Sequence, residues 1–121
     1  MAAHWDHQSA DARLLGAHQM REFAEARKLP SLLMGDFNST VGDPPLEHFR
    51  EGKWAPALPD EGPKGTFTGF DLQSDGGKMI DFVFSSPEWE VESVEIDRSK
   101  TPEGRWPSDH FPVIARLRLS D

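Results

Sequence analysis

The sequence predicts an α/β fold, one mixed sheet of about five strands with helices on one face. Three observations carry that prediction. Ser31 to Asn38 contains a short apolar run without charge, the pattern of a strand covered on both faces. An amphipathic helix precedes it, and three or four further strand-like stretches follow. The run ends in Gly35-Asp36-Phe37-Asn38, which brings a carboxylate and an amide to the strand's carboxyl end, where open α/β sheets place their ligand sites. Gly, Asp and Asn are also common turn formers, so the tetrapeptide alone fits a plain turn equally well.

The elements follow in order. Ala2-Ala3-His4-Trp5-Asp6-His7 sets two imidazoles and an acid close together. That suits a strand end or loop belonging to a site, with a polar tail as the plain alternative. Ser9 to Leu29 reads as a helix, capped by Ser9 or Asp11, with Arg27 and Lys28 suiting the negative end of its dipole. At about 100° per residue, Ala10, Leu14, Ala17, Met20, Phe23 and Ala24 share one half of its circumference and form a core stripe. His18 is expected at the surface. Pro30 ends the helix, and Pro44 or Pro45 opens a short second one through Leu46, His48 and Phe49, with His48 also at the surface.

Gly52 to Gly65 is a long Pro- and Gly-rich loop, a candidate wall for a pocket. Thr66 to Phe70 reads as a short strand, and Asp71 to Lys78 as a hairpin-type turn. Met79 to Phe84 is a strand with Ile80, Phe82 and Phe84 on one face. Asp81 lies on the other, where an acid is costly without a partner. Glu90 to Asp97 is a strand whose alternation breaks near Glu92-Ser93, as at a bulge. A polar loop with Arg105 and Trp106 leads to Ser108-Asp109-His110-Phe111. The last strand, Val113 to Leu119, separates Val113, Ala115, Leu117 and Leu119 from Ile114, Arg116 and Arg118.

The bulk numbers bound the function. The chain's 121 residues suffice for one domain, residues 1–121. With 21 acidic against 13 basic residues the formal charge is −8, which argues against broad electrostatic binding of nucleic acid. A phosphate substrate stays open if a divalent cation neutralises the site. There is no cysteine, hence no disulfide or zinc–thiolate centre. No run approaches the roughly 20 apolar residues of a membrane span, and no signal-peptide pattern precedes His4.

Asp36, Asn38, Asp109 and His110 fall at strand ends, and Asp81 lies in or near the end of its strand. If they share one rim, three acids, an amide and one or two imidazoles meet there. Such a set suits metal-assisted hydrolysis of a phosphoric ester better than acyl transfer, since no serine lies in a nucleophile-elbow context.

Gly35-Asp36-Phe37-Asn38, Ile80-Asp81-Phe82-Val83-Phe84 and Ser108-Asp109-His110-Phe111-Pro112-Val113 stand in the order and approximate spacing of the endonuclease/exonuclease/phosphatase superfamily. From about His4 to Leu119 the chain resembles that family, which includes deoxyribonucleases, abasic-site nucleases, neutral sphingomyelinases and inositol-polyphosphate phosphatases. His4-Trp5-Asp6-His7 resembles its Asn-Thr-His-x-Asp-His segment, with Ala2 and Ala3 at the Asn and Thr positions.

The resemblance implies half of a four-layer α/β/β/α sandwich, the C-terminal half, with Mg²⁺ or Mn²⁺ as cofactor. It implies that Asp36 orients or activates water and Asn38 holds water or a phosphate oxygen. His110 would contact phosphate with Asp81 hydrogen-bonded behind it, Asp109 would be a metal ligand, and His4 a second imidazole and general acid. Lys78 and Arg105 are candidates to meet substrate charge, whereas Asp6 and His7 are given a structural part. In the family the other half supplies an Asn and a Glu that is a principal metal ligand.

Half a sandwich leaves a sheet face bare. Five strands spaced about 4.8 Å and about 17 Å long present on the order of 400 Å², and burying it at about 25 cal/mol/Å² is worth on the order of 10 kcal/mol at most. The expected cover is a second copy of the chain, as a homodimer, or a complementing N-terminal half. The competing reading is a non-catalytic, self-associating fragment of the same fold with a degenerate metal site.

Overall fold

The computed structural model describes residues Met1–Asp121. Strand β1 (Ala2–His4) leads into helix α1 (Ala10–Arg27). Ser9 is the cap, its hydroxyl accepting the Ala12 amide at 3.1 Å. Asp6 steadies the approach, one carboxylate oxygen accepting the amides of Gln8 at 2.7 Å and Ser9 at 2.6 Å. Lys28 ends the helix in the left-handed region at φ 51°. Strand β2 (Leu32–Asp36), helix α2 (Pro44–Glu51), strand β3 (Ala55–Pro56) and strand β4 (Asp81–Ser85) follow, then β5 (Trp89–Ile96) and β6 (Val113–Leu119).

The first four strands form a mixed sheet in the order β1-β2-β4-β3. β1 runs parallel to β2, and β4 runs antiparallel to both β2 and β3. The last two pair as a separate antiparallel ribbon, with β6 lying against β4. Where the sequence suggests a single sheet of about five strands, the strands therefore divide into four and two, within the predicted α/β half-sandwich. The ribbon's register shifts between Val91 and Ser93, where the broken alternation predicts a bulge.

The core lies between the sheet and the two helices. Leu33, Phe82 and Phe84 point from the sheet into it and meet Met20 and Ala17 from α1 and Leu46 and Phe49 from α2. Four rings form its centre: Phe37 stands 4.5 Å from Trp5 and 5.6 Å from Phe49, and Phe49 stands 5.2 Å from Phe84. Burying such rings beats the entropy of ordering them, which makes this packing the anchor for the strand ends.

Three expectations need correction. Of the α1 stripe, Ala17, Met20 and Ala24 are buried, but Phe23 is exposed with the Arg27 guanidinium 3.2 Å over its ring. His48 is not a free surface residue: it is half-buried and stacked on His18 at 3.7 Å. Thr66 to Phe70 forms no strand beyond a single bridge between Phe67 and His110. Gly69 and Phe70 both adopt positive φ, which turns the chain back, and the amides of Thr68 and Gly69 donate to the Asp109 carbonyl at 2.7 and 3.3 Å.

Candidate active site

Strand register brings two acids face to face. Asp36 pairs with Asp81 across β2 and β4. Because side chains alternate along a strand, both carboxylates share the face of Met34 and Val83, opposite the helices. Like charges in register destabilise a sheet unless something lies between them. Here that something is His110.

The imidazole reaches in from the loop before β6. Its Nδ1 lies 2.8 Å from Asp81 Oδ2, and its Nε2 lies 3.6 Å from Asp36 Oδ2. An ionised carboxylate only accepts, so Nδ1 carries the proton and Nε2 is left toward Asp36. Burial works against the charged imidazolium, but the hydrogen bond and charge of Asp81, joined by Asp36 and Asp109, outweigh it and hold His110 above the ordinary histidine pKa. Burial pushes the Asp81 carboxyl up from its usual range, with hydrogen bonds from Thr66 and His110 opposing. His110 is also fixed from the side by Phe67, whose ring lies 4.9 Å away.

These residues floor an open cleft of about 350 Å³ lined by Met34, Asp36, Asp81, Val83, His110 and Val113, among others. His4 stands at its edge, mostly exposed, with Nε2 3.4 Å from Asp36 Oδ2. The parallel pairing of His4 with Asp36 places it there. Asn38 adopts φ 45°, its amide N–H donating to Asp36 Oδ1 at 2.9 Å and its side-chain nitrogen to the Trp5 carbonyl at 2.7 Å. Asn38 thus ties β1's exit to β2's exit, and its own side-chain oxygen stays available.

The other expected residues lie further out. Asp109 precedes His110 and its charge is felt there, but its carboxylate is not among the atoms that converge. Lys78 is exposed and lines a separate cleft with Thr40, Val41 and Met79. Arg105 is exposed in its loop, where its amide donates to Thr101 Oγ1 at 3.3 Å. Asp6 serves the start of α1, and His7 is exposed. Thr68 is a participant that strand propensity concealed: its hydroxyl donates to the Asp109 carbonyl at 3.1 Å and pins the loop that bears His110.

The donor set fits a hard divalent cation. Asp36, Asp81 and His110 each have a possible ligand atom within 4.8 Å of the others; the charged imidazole keeps no free lone pair, so a cation here would sit on the carboxylate oxygens. They form a candidate metal site.

Residues 3–110 match the model of the endonuclease/exonuclease/phosphatase family. No curated protein sequence matches the chain. A conserved protein of unknown function from Enterococcus faecalis superposes with a TM-score of 0.83 at 29% identity, over 98% of this chain and 49% of that one. An endonuclease/exonuclease/phosphatase family protein from Bacteroides thetaiotaomicron gives 0.82 at 29% identity, over 99% and 49%. A mannosyl-6-phosphatase of the same organism gives 0.79 at 29% identity, over 98% and 50%. The chain therefore spans about half the length of these similar structures.

Proposed function

Since this chain belongs to the endonuclease/exonuclease/phosphatase family, we propose that its cleft hydrolyses a phosphoric ester with Mg²⁺ or Mn²⁺ as cofactor. The observation that carries the reading is the His110 imidazole held between Asp81 and Asp36 on the floor of the cleft. A charged imidazole fixed beside carboxylates meets what hydrolysis of a phosphate requires: a cationic contact for its oxygens next to a base for the water. When bound, the cation would screen the phosphate oxygens and the charge developing on the leaving oxygen. Asp109 and the carboxylates of the cleft would hold it.

The chain's own groups supply the rest. Asp36 keeps Oδ1 on the Asn38 amide and turns Oδ2 to the cleft, where it orients the attacking water and takes its proton. The Asn38 side-chain oxygen accepts from the same water. His110 donates from Nε2 to a phosphate oxygen, its ring held by Asp81. His4, exposed at the rim, gives the leaving oxygen its proton. Lys78 and Arg105 meet substrate charge farther from the phosphate. The mannosyl-6-phosphatase among similar structures and the charge of −8 both favour a small phosphate ester over duplex DNA.

The face that carries Asp36 and Asp81 also carries the half-buried Leu32, Met34 and Val83, with no helix over it. A second copy of the chain or a complementing N-terminal half covers it in this reading, and light scattering at micromolar concentration should return more than a monomer. The activity is tested with p-nitrophenyl phosphate and bis-p-nitrophenyl phosphate in Mn²⁺. Turnover should vanish with chelator and fall by about 10²–10⁴-fold in Asp36→Ala and His110→Ala. Turnover indifferent to both substitutions would refute the reading.

A further inference from the structure

The segment Thr66 to Phe70, which bridges to His110, holds two rings out in water: Phe67 is 45% exposed and Phe70 60%. A single exposed ring on a loose loop needs no explanation. This segment is not loose. The Phe67 amide donates to the Gly76 carbonyl at 3.0 Å. The buried Thr68 donates its amide and its hydroxyl to the Asp109 carbonyl, at 2.7 and 3.1 Å, and its hydroxyl oxygen accepts the Phe70 amide at 3.1 Å. Beyond it, Trp106 Nε1 donates to the Asp71 carbonyl at 2.9 Å.

Phe70 also adopts φ 67°, a conformation that a bulky residue takes only at a cost. Its ring gains no burial in return, and backbone strain of this kind clusters where ligands are clamped. The Phe67 ring lies 4.9 Å from the His110 ring, tilted by 56°. The two rings therefore extend the site outward from the imidazole, on a support that does not yield.

An ester whose phosphate meets His110 has to place its organic part nearby. Phe67 and Phe70 offer it apolar faces. The exposed Asp71, next to Phe70, and the half-buried Asp109, next to His110, offer acceptors. A sugar ring answers both, with C–H groups on its face and hydroxyls at its edge. A plain aryl ring leaves the carboxylates unused, and an open-chain polyol leaves the rings unused. We propose that Phe67 and Phe70 form a platform on which the sugar ring of a sugar phosphate stacks. This substrate class presupposes the hydrolysis proposed above.

Glucose 6-phosphate carries such a ring, and glycerol 3-phosphate is its open-chain counterpart. In Mn²⁺ the unmodified protein should favour the hexose ester in kcat/KM by about tenfold, the size of a good stacking contact. Phe67→Leu keeps apolar bulk, and Phe70→Asn places a residue that tolerates positive φ. Each should bring the ratio most of the way to one, and a ratio that neither substitution moves overturns the proposal.

Binding is read separately on the unmodified protein, by NMR in Mg²⁺. Glucose 6-phosphate should shift the ring protons of Phe67 and Phe70, and glycerol 3-phosphate should leave them in place. Rings that do not respond to the hexose ester overturn the platform. Phenyl phosphate acting at lower concentration than the hexose ester overturns the assignment to a sugar. Rings that shift with protein concentration alone would show a second copy lying over them, and overturn it as well. If neither ester is hydrolysed the proposed activity falls, and the NMR titration by itself decides the platform.

Discussion

Burial disfavours the charged form of His110, and the Asp81 carboxylate beside it more than offsets that. A histidine pKa raised in the folded state gives stability that is complete below the unfolded value of about 6.5 and is lost as pH climbs through the folded value. The imidazolium of His110 should therefore titrate above 6.5, and Asp81→Asn, which removes the adjacent charge, should bring the midpoint down. An NMR titration of the His110 C2 proton checks both, and an unmoved midpoint would show that Asp81 is not its governing neighbour. At this scale Asp36 and Asp81 were readable from the sequence, because an acid inside a strand and an acid at a strand end violate the hydrophobic pattern, whereas His110 was marked by its place before the last strand and by the resemblance of Ser108-Asp109-His110-Phe111. Thr66 was not. A buried threonine obeys strand propensity, and only its bonds reveal that its hydroxyl takes the backbone amides of Ile80 and Asp81.

Elements carry these residues to one place, and β1 is the most delicate of them. Gly35 sits at φ 140°, and a Cβ there would lie 1.9 Å from the Ala3 carbonyl oxygen. Gly35→Ala should therefore push β1 off β2, and with it His4 from Asp36. The expected result is a loss of about 1–3 kcal/mol in a urea titration, or failure to fold; a variant of unchanged stability would mean that β1 is not held there. The strands and helices that depend on local pattern were legible: α1 with its Ser9 cap, β2, α2 behind its prolines, and β5 with its bulge. The split of β5 and β6 from the main sheet was not, because alternation gives each strand its faces but not its neighbour. Thr66 to Phe70 misled for the opposite reason. Its residues favour a strand, but the positive φ of Gly69 and Phe70 and the two amides on the Asp109 carbonyl turn it into a clasp.

For the molecule as a whole, one sheet face is filled by a ring-rich core while the other presents Leu32, Met34 and Val83 together with the acids. The candidate site and the open face are thus the same surface, and the similar structures are about twice as long as this chain. A cover over that face would lie directly beside Asp36 and His110. In the proposed function, Asp36, Asp81 and His110 together make one place for a cation and a phosphate. Substoichiometric Mn²⁺, a paramagnetic ion that broadens nearby resonances, tests it most directly in the amide NMR spectrum. The signals of Asp36, Asp81 and Asp109 to Phe111 should be lost selectively and return with chelator, while the ribbon around Val91 stays sharp. Broadening centred on the stacked His18 and His48, or none at all, would contradict it.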